Sequence, residues 1–121
     1  IIFCIGETLK ERRTKKTNQV LKRQIEKGLK SISNKSKIII AYEPVWSIGT
    51  GLIPKQIALT QTISFIKSRF VKKYPKILYG GSVNSNNADK LKKIPNIDGF
   101  LIGGASQNPK KFIDIIQKTI I

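Results

Sequence analysis

One carboxylate in the sequence stands where a catalytic base would be expected. Glu43 directly follows an apolar run, residues 38–42, and precedes Pro44, so it lies at the end of a predicted buried strand. In barrels of parallel strands, the catalytic groups come from that end of the strands. A carboxylate shielded from water is a base that can remove a proton from carbon. A helix cap or a surface acid would be the commoner role for a lone Glu, but only seven acidic residues occur in this chain.

The segment that follows Glu43 has the composition of a mobile lid. Pro44 makes its start stiff, Trp46 supplies a bulky anchor, and Gly49 and Gly51 make its far end flexible. Such a loop can close over a substrate and exclude water from the base. Glycine also lets backbone N–H groups approach an anion closely, although two glycines alone would equally fit a plain turn.

Two more glycine-containing loops follow predicted strands. Residues 79–83 read Tyr-Gly-Gly-Ser-Val, and residues 103–106 read Gly-Gly-Ala-Ser. Either loop alone could be a tight turn. On successive strands of a βα array, however, the pair matches the site where barrels bind phosphate with backbone N–H groups and a helix N-terminus. The hydroxyl of Ser82 could add to that binding without any Arg.

The apolar patterns predict elements that would bring these loops together. Near-continuous Ile-rich runs are typical of strands buried on both faces of a parallel sheet, and three- to four-residue spacing is typical of helices. The predicted strands are residues 1–5, 38–42, 77–79 and 99–102, and the predicted helices are residues 15–33, 57–70, 87–93 and a last one opened by Pro109. We expect Tyr74 and Pro75 to end the second helix. Four βα units favour a parallel α/β sheet and make half of an eight-stranded barrel, although a small open sheet with helices on both faces fits the pattern too.

Composition narrows the class of protein. The chain has 121 residues, 40% of them hydrophobic, which suits a single folded domain. It has no Met, so we expect a piece of a longer protein or the product of a processed or interrupted reading frame. No apolar run reaches the ~20 residues of a membrane span. One cysteine and no histidine exclude an internal disulfide and a zinc site of the usual ligands. A cytoplasmic location is the simplest expectation.

The net charge of +16 raises the question of a polyanionic partner. Lys outnumbers Arg 19 to 4, and the basic residues spread along the chain without an arginine-rich or aromatic-interleaved stripe. We therefore attribute the charge to compositional drift, and nucleic acid is not the expected partner.

The start of the chain carries two more reactive side chains. We expect Cys4 to be a small buried hydrophobe rather than a nucleophile, since no histidine is present to activate it. Glu7 would either serve as an acid at a helix N-terminus or hold the lid in its open form.

Four motifs together resemble the C-terminal half of triosephosphate isomerase. They are residues 4–9 (Cys-Ile-Gly-Glu-Thr-Leu), 41–51 (Ala-Tyr-Glu-Pro-Val-Trp-Ser-Ile-Gly-Thr-Gly), 79–83 and 98–106. The resemblance covers essentially the whole chain. It implies an α/β fold, the C-terminal (βα)4 half of a TIM (β/α)8 barrel, with residues 1–121 forming a single partial domain that corresponds to strands five to eight.

The resemblance also implies roles for individual residues. Glu43 would move a proton between adjacent carbons of a triose phosphate, interconverting glyceraldehyde 3-phosphate and dihydroxyacetone phosphate without a cofactor or metal. The phosphate would be bound by Gly49, Ser82, Gly103 and Gly104. Glu7 and Trp46 would meet across the lid, and Tyr79 and Ser82 would hold its closed form. The lid itself would comprise Pro44, Val45, Trp46, Ser47, Ile48, Gly49, Thr50 and Gly51.

The chain departs from the family pattern in small ways and in one large way. Ser47 replaces a small apolar residue, a change expected to be mild; Leu52 and Gln107 are further substitutions of little expected effect. The large difference is that the family's electrophilic His, its substrate-binding Lys and its dimer loop belong to a missing N-terminal half. Loss of such an electrophile costs about 10²–10³-fold in rate. We expect the chain alone to be a weak or inactive isomerase, prone to self-association through unpaired strand edges; the intact family enzyme is a homodimer.

Two alternative functions remain open from the sequence. The chain could be a decayed remnant with no function, or a basic module that binds phosphate or nucleic acid through its loops and lysines.

Overall fold

The chain folds into alternating strands and helices. The computed structural model describes residues 1–71 and 75–120. The strands are β1 (Ile2–Ile5), β2 (Ile39–Tyr42), β3 (Lys76–Tyr79) and β4 (Gly99–Phe100). The α-helices are α1 (Leu9–Arg13), α2 (Thr17–Gly28), α3 (Gln56–Ser68), α4 (Ala88–Leu91) and α5 (Pro109–Ile120), and short 3-10 turns occupy Lys35–Lys37, Val45–Ser47 and Gly104–Gln107. No helix among the described residues is long and apolar enough to cross a membrane.

The strands form one parallel sheet in the order β1-β2-β3-β4. Every crossover advances to the next strand in the same direction. Since crossovers between parallel strands are right-handed as a rule, the helices all lie on one face. This geometry excludes the open sheet with helices on both faces and confirms the prediction of half a (β/α)8 barrel. The carboxyl ends of the strands, and the loops that follow them, meet at one edge.

Strand residues alternate between the helix face and an open face. On the helix face, Ile40 and Ile77 are paired in register and have no exposed surface. On the open face, Ile2 is 48% exposed and Cys4 is also exposed. A closed barrel would enclose this face of the sheet. The expectation that Cys4 is buried is therefore wrong for the chain as described. The core lies between sheet and helices and includes Ile5, Leu21, Ile25, Tyr42, Leu59, Ile63, Ile66, Tyr79, Leu91 and Ile115.

The predicted elements differ from the structure mainly in length. β4 has only two residues, whereas four were predicted, and the third predicted helix is reduced to Ala88–Leu91. Helix α1 was not predicted, since none of its five residues is buried and it has no apolar stripe. The sequence feature that marks the start of α1 is a capping box, in which the side chains of Thr8 and Glu11 each accept a hydrogen bond from the other residue's backbone N–H. Pro75 follows the second predicted helix as expected, and Tyr74 lies outside the described residues.

Candidate active site

Glu43 emerges at the carboxyl end of β2 on the open face of the sheet. Its backbone N–H donates to the carbonyl of Ile5 at 2.8 Å, and the N–H of Gly80 donates to the carbonyl of Tyr42 at 2.8 Å, so both neighbouring strands fix this point. The side chain lies directly over Gly80. A Cβ atom at position 80 would come within 2.5 Å of Glu43 Cγ and 3.2 Å of its Oε1. Glycine at 80 therefore creates the space that the carboxylate occupies.

Cys4 lies on the same open face, on the strand beside Glu43. The thiol of Cys4 interacts with the negative charge of the Glu43 carboxylate. Partial burial, together with this negatively charged neighbour, raises the pKa of Cys4 to about 11. The thiol is thus kept protonated, in agreement with the prediction that it is not a nucleophile.

Glu7 is completely buried and collects three donors. It accepts hydrogen bonds from Arg12 Nε at 2.8 Å, from the Tyr42 hydroxyl at 3.0 Å and from Trp46 Nε1 at 3.2 Å. Burial and then the charge of Glu7 raise the pKa of Tyr42 well above its ordinary value. Thr8 rather than Glu7 caps helix α1, and Glu7 instead accepts a hydrogen bond from the tryptophan of the predicted lid.

The predicted lid, residues 44–51, is a short turn followed by a glycine-rich bend. Its first part is the 3-10 turn Val45–Ser47, entered through Pro44, which is buried. Gly49 and Gly51 have φ of 67° and 78°, a left-handed conformation that side chains with a Cβ rarely adopt. Val45 and Ile48 of the lid, and Leu52 directly after it, are about half exposed or more, which leaves an apolar outer surface here.

The far end of the lid is docked on the loop after β3. The Gly51 N–H donates to Ser82 Oγ at 2.9 Å, and that hydroxyl donates to the Ser47 carbonyl at 2.5 Å. The Ser47 hydroxyl, in turn, lies 2.9 Å from the Tyr79 hydroxyl. Trp46 is held by Glu7 in the same arrangement, so the lid is fastened at both ends. Glu7 thus contacts Trp46 in the same structure in which Ser82 contacts Gly51.

The docked lid borders a cavity of about 480 Å³. All four residues for which the resemblance implies phosphate binding line it: Gly49, Ser82, Gly103 and Gly104. An added Cβ at Gly49, Gly103 or Gly104 would meet no atom within 4 Å, so their backbones face open space. Backbone N–H groups and small residues around a space of this size suit a phosphate group. Glu43 does not line the cavity directly, but Gly80, over which it lies, does.

Lys111 is a cavity residue that the sequence did not single out. It lies near the start of α5 and is the one basic side chain among the described residues that line the cavity. A cation beside backbone N–H groups strengthens binding of an anion. Nothing in the sequence distinguishes Lys111 from the other lysines, because only the packing of α5 brings it to this edge.

A comparison with known proteins agrees with this geometry. The family model described as triosephosphate isomerase matches residues 1–119. The chain belongs to the triosephosphate isomerase family. Curated relatives named triosephosphate isomerase include those of Thermodesulfovibrio yellowstonii (42% identity), Borreliella burgdorferi (44%) and Mycoplasma mobile (47%). These matches cover 97%, 99% and 96% of this chain but 50%, 51% and 48% of the relatives, respectively.

The chain therefore spans about half the length of the triosephosphate isomerases it matches, and the matched part is their C-terminal half. It contains no histidine. The electrophilic His that the resemblance implies cannot come from these 121 residues, whereas the candidate base, the lid and the phosphate loops can.

Proposed function

We propose that the chain is the C-terminal half of a triosephosphate isomerase and acts in the cytoplasm together with an N-terminal half. Glu43 would be the base that moves a proton between the adjacent carbons of glyceraldehyde 3-phosphate and dihydroxyacetone phosphate. The observation that carries the proposal is the convergence of a strand-end carboxylate, a docked lid and a glycine-lined cavity at one edge of the sheet.

The geometry supports separate places in the site for phosphate binding and for proton transfer. The phosphate would occupy the cavity beside Gly49, Ser82, Gly103 and Gly104, where backbone N–H groups can neutralise its charge. Gly80 both lines that cavity and supports Glu43, so a short sugar held by its phosphate would extend toward the carboxylate. The lid would then exclude water while the proton moves. No cofactor or metal is needed for this step.

The surfaces at the ends of the sheet support the need for a second half. At the β4 end, an apolar cavity of about 370 Å³ is lined by residues that include Phe100, Phe112 and Ile116. At the β1 end, Ile1 and Ile2 are 84% and 48% exposed. Among the described strands, β1 and β4 each have one unpaired edge. An N-terminal half with its own four βα units would pair both edges, cover these apolar surfaces and supply the His and Lys. The completed enzyme would be a homodimer, as its family is.

Isomerisation of glyceraldehyde 3-phosphate by the purified chain, alone and mixed with a matching N-terminal half, tests the proposal. Activity that emerges only in the mixture is the expected result. A mixture that forms a complex but does not isomerise would overturn the proposal and favour a remnant. Saturable RNA binding with a steep salt dependence, in the absence of isomerisation, would instead favour the basic binding module.

A further inference from the structure

The Ser47 hydroxyl lies in a fully buried position and contacts three polar groups. It bonds the carbonyl of Leu52, lies 2.9 Å from the hydroxyl of Tyr79 and accepts from the backbone N–H of Ser82 at 3.2 Å. A small apolar side chain, which the family has at this position, would offer none of these bonds.

Counting protons fixes the direction of each bond. A serine hydroxyl has one hydrogen and two lone pairs. The Leu52 carbonyl can only accept, so the single hydrogen of Ser47 goes to it. The Ser82 N–H can only donate, so it takes one lone pair. Tyr79 must then donate its own hydrogen to the remaining lone pair, which leaves the Ser47 hydroxyl with every bond satisfied.

We propose that Ser47 is a positioning residue that fastens the lid in its docked position. The inference rests on the proposed function, since it concerns the lid of that site. Leu52 directly follows the far end of the lid, whereas Tyr79 and Ser82 belong to the end of β3 and the loop that follows it. The Ser47 hydroxyl therefore joins the first part of the lid and the residue that follows the lid to the end of β3 and the loop after it.

Ser82 completes the arrangement from the opposite side. Its hydroxyl donates to the Ser47 carbonyl at 2.5 Å, while its N–H donates to the Ser47 hydroxyl. The two serines thus bond each other's backbone reciprocally, and all the groups involved belong to the protein. Removal of the Ser47 hydroxyl would leave the buried Tyr79 hydroxyl without this partner and would take one bond each from the partly buried Ser82 N–H and Leu52 carbonyl, which disfavours the docked lid.

The lid contains a tryptophan whose fluorescence can report whether the lid is docked. Trp46 is the only tryptophan of the chain and adjoins Ser47, so tryptophan fluorescence arises from the lid alone. In the docked lid its indole is bonded to Glu7 at 3.2 Å. An undocked lid exposes this ring to a soluble quencher.

Acrylamide quenching of the full chain tests the inference. For Ser47→Ala, with folding verified by circular dichroism, we expect the quenching constant to rise about twofold to fivefold, since a lost buried hydrogen bond shifts a docked–open equilibrium by that order. Ser64→Ala, an exposed serine on α3, is the control and should leave quenching unchanged. Equal quenching in the two variants would overturn the inference.

Tyr79→Phe provides a second test if Ser47→Ala does not fold. It removes one of the three bonds and keeps the ring, so we expect a smaller rise in quenching. The variant that combines Ser47→Ala and Tyr79→Phe should raise the quenching constant by less than the sum of the two single rises, because both substitutions remove the bond between the two hydroxyls. No rise in Tyr79→Phe would also contradict the inference.

The outcome is separable from that of the proposed function, because quenching requires no catalysis. Increased quenching in Ser47→Ala combined with a mixture that never isomerises would support the fastened lid and overturn the isomerase. An active mixture with unchanged quenching would overturn only the role of Ser47.

Discussion

Gly80 lies beneath the side chain of Glu43 so closely that a single added carbon would collide with it. An alanine Cβ at position 80 would stand 2.5 Å from Glu43 Cγ and 3.0 Å from its Cδ. The two residues come from adjacent parallel strands, whose ends are joined by a 2.8 Å bond from Gly80 N–H to the Tyr42 carbonyl. The position of the candidate base is therefore set by the absence of a side chain on the next strand.

Gly80→Ala should reduce turnover by about 10²-fold in the complemented enzyme, because a displacement of the base by about 1 Å has an effect of that size. The measurement is kcat with glyceraldehyde 3-phosphate. Gly99→Ala is the matched control, since its Cβ would approach only the flexible end of Leu78, at 3.2 Å. Equal turnover in the two variants would show that Gly80 does not position Glu43.

Cys4 should react slowly for an exposed thiol. Its pKa is raised from 9.0 to about 11, and a higher pKa means less thiolate at a given pH, so the thiolate fraction at pH 8 falls about 100-fold. The rate of alkylation by iodoacetamide as a function of pH measures this. Glu43→Gln removes a negative charge and should lower the pKa of Cys4 and accelerate alkylation at pH 8. A pKa near 9 in both proteins would refute the contact between Cys4 and Glu43.

Glu7→Ala should lower the free energy of unfolding by about 3 kcal/mol, because it leaves Arg12, Tyr42 and Trp46 without their buried acceptor. Urea unfolding followed by circular dichroism measures the change. Glu26→Ala is the control: its carboxylate is exposed, lies 3.9 Å from Lys22, and should contribute less than about 0.5 kcal/mol. If both variants unfold at the same urea concentration, Glu7 does not anchor the lid region.

Lys111→Gln should weaken phosphate binding several-fold, by about 3- to 10-fold at low salt, because it removes the cation that lines the cavity. Inhibition of the complemented enzyme by inorganic phosphate provides the constant. Lys110→Gln changes the net charge equally but does not line the cavity, so it should have little effect. Identical inhibition constants for the two variants would rule out a specific role for Lys111.

The sequence predicted those parts of the site that can be recognised from patterns among residues close together in the chain. Strand patterns and glycine spacing can be read directly from the amino-acid sequence. They predicted the position of Glu43 at a strand end and the glycine-containing loops at 49, 51, 103 and 104. Arg12, by contrast, meets Glu7 and Tyr42 only through the packing of α1 against the end of β2. The bonds of Ser47 could not be predicted for the same reason: its residue type is ordinary, and only its burial against Tyr79 and Ser82 reveals them.

Turnover of Glu43→Asp in the complemented enzyme tests most directly whether Glu43 is the base. We expect kcat to fall by about 10²–10³-fold while KM stays within about threefold, because the shorter carboxylate no longer reaches the carbon acid and the phosphate contacts are unaffected. Turnover equal to that of the parent chain would contradict the assignment of Glu43 as the base.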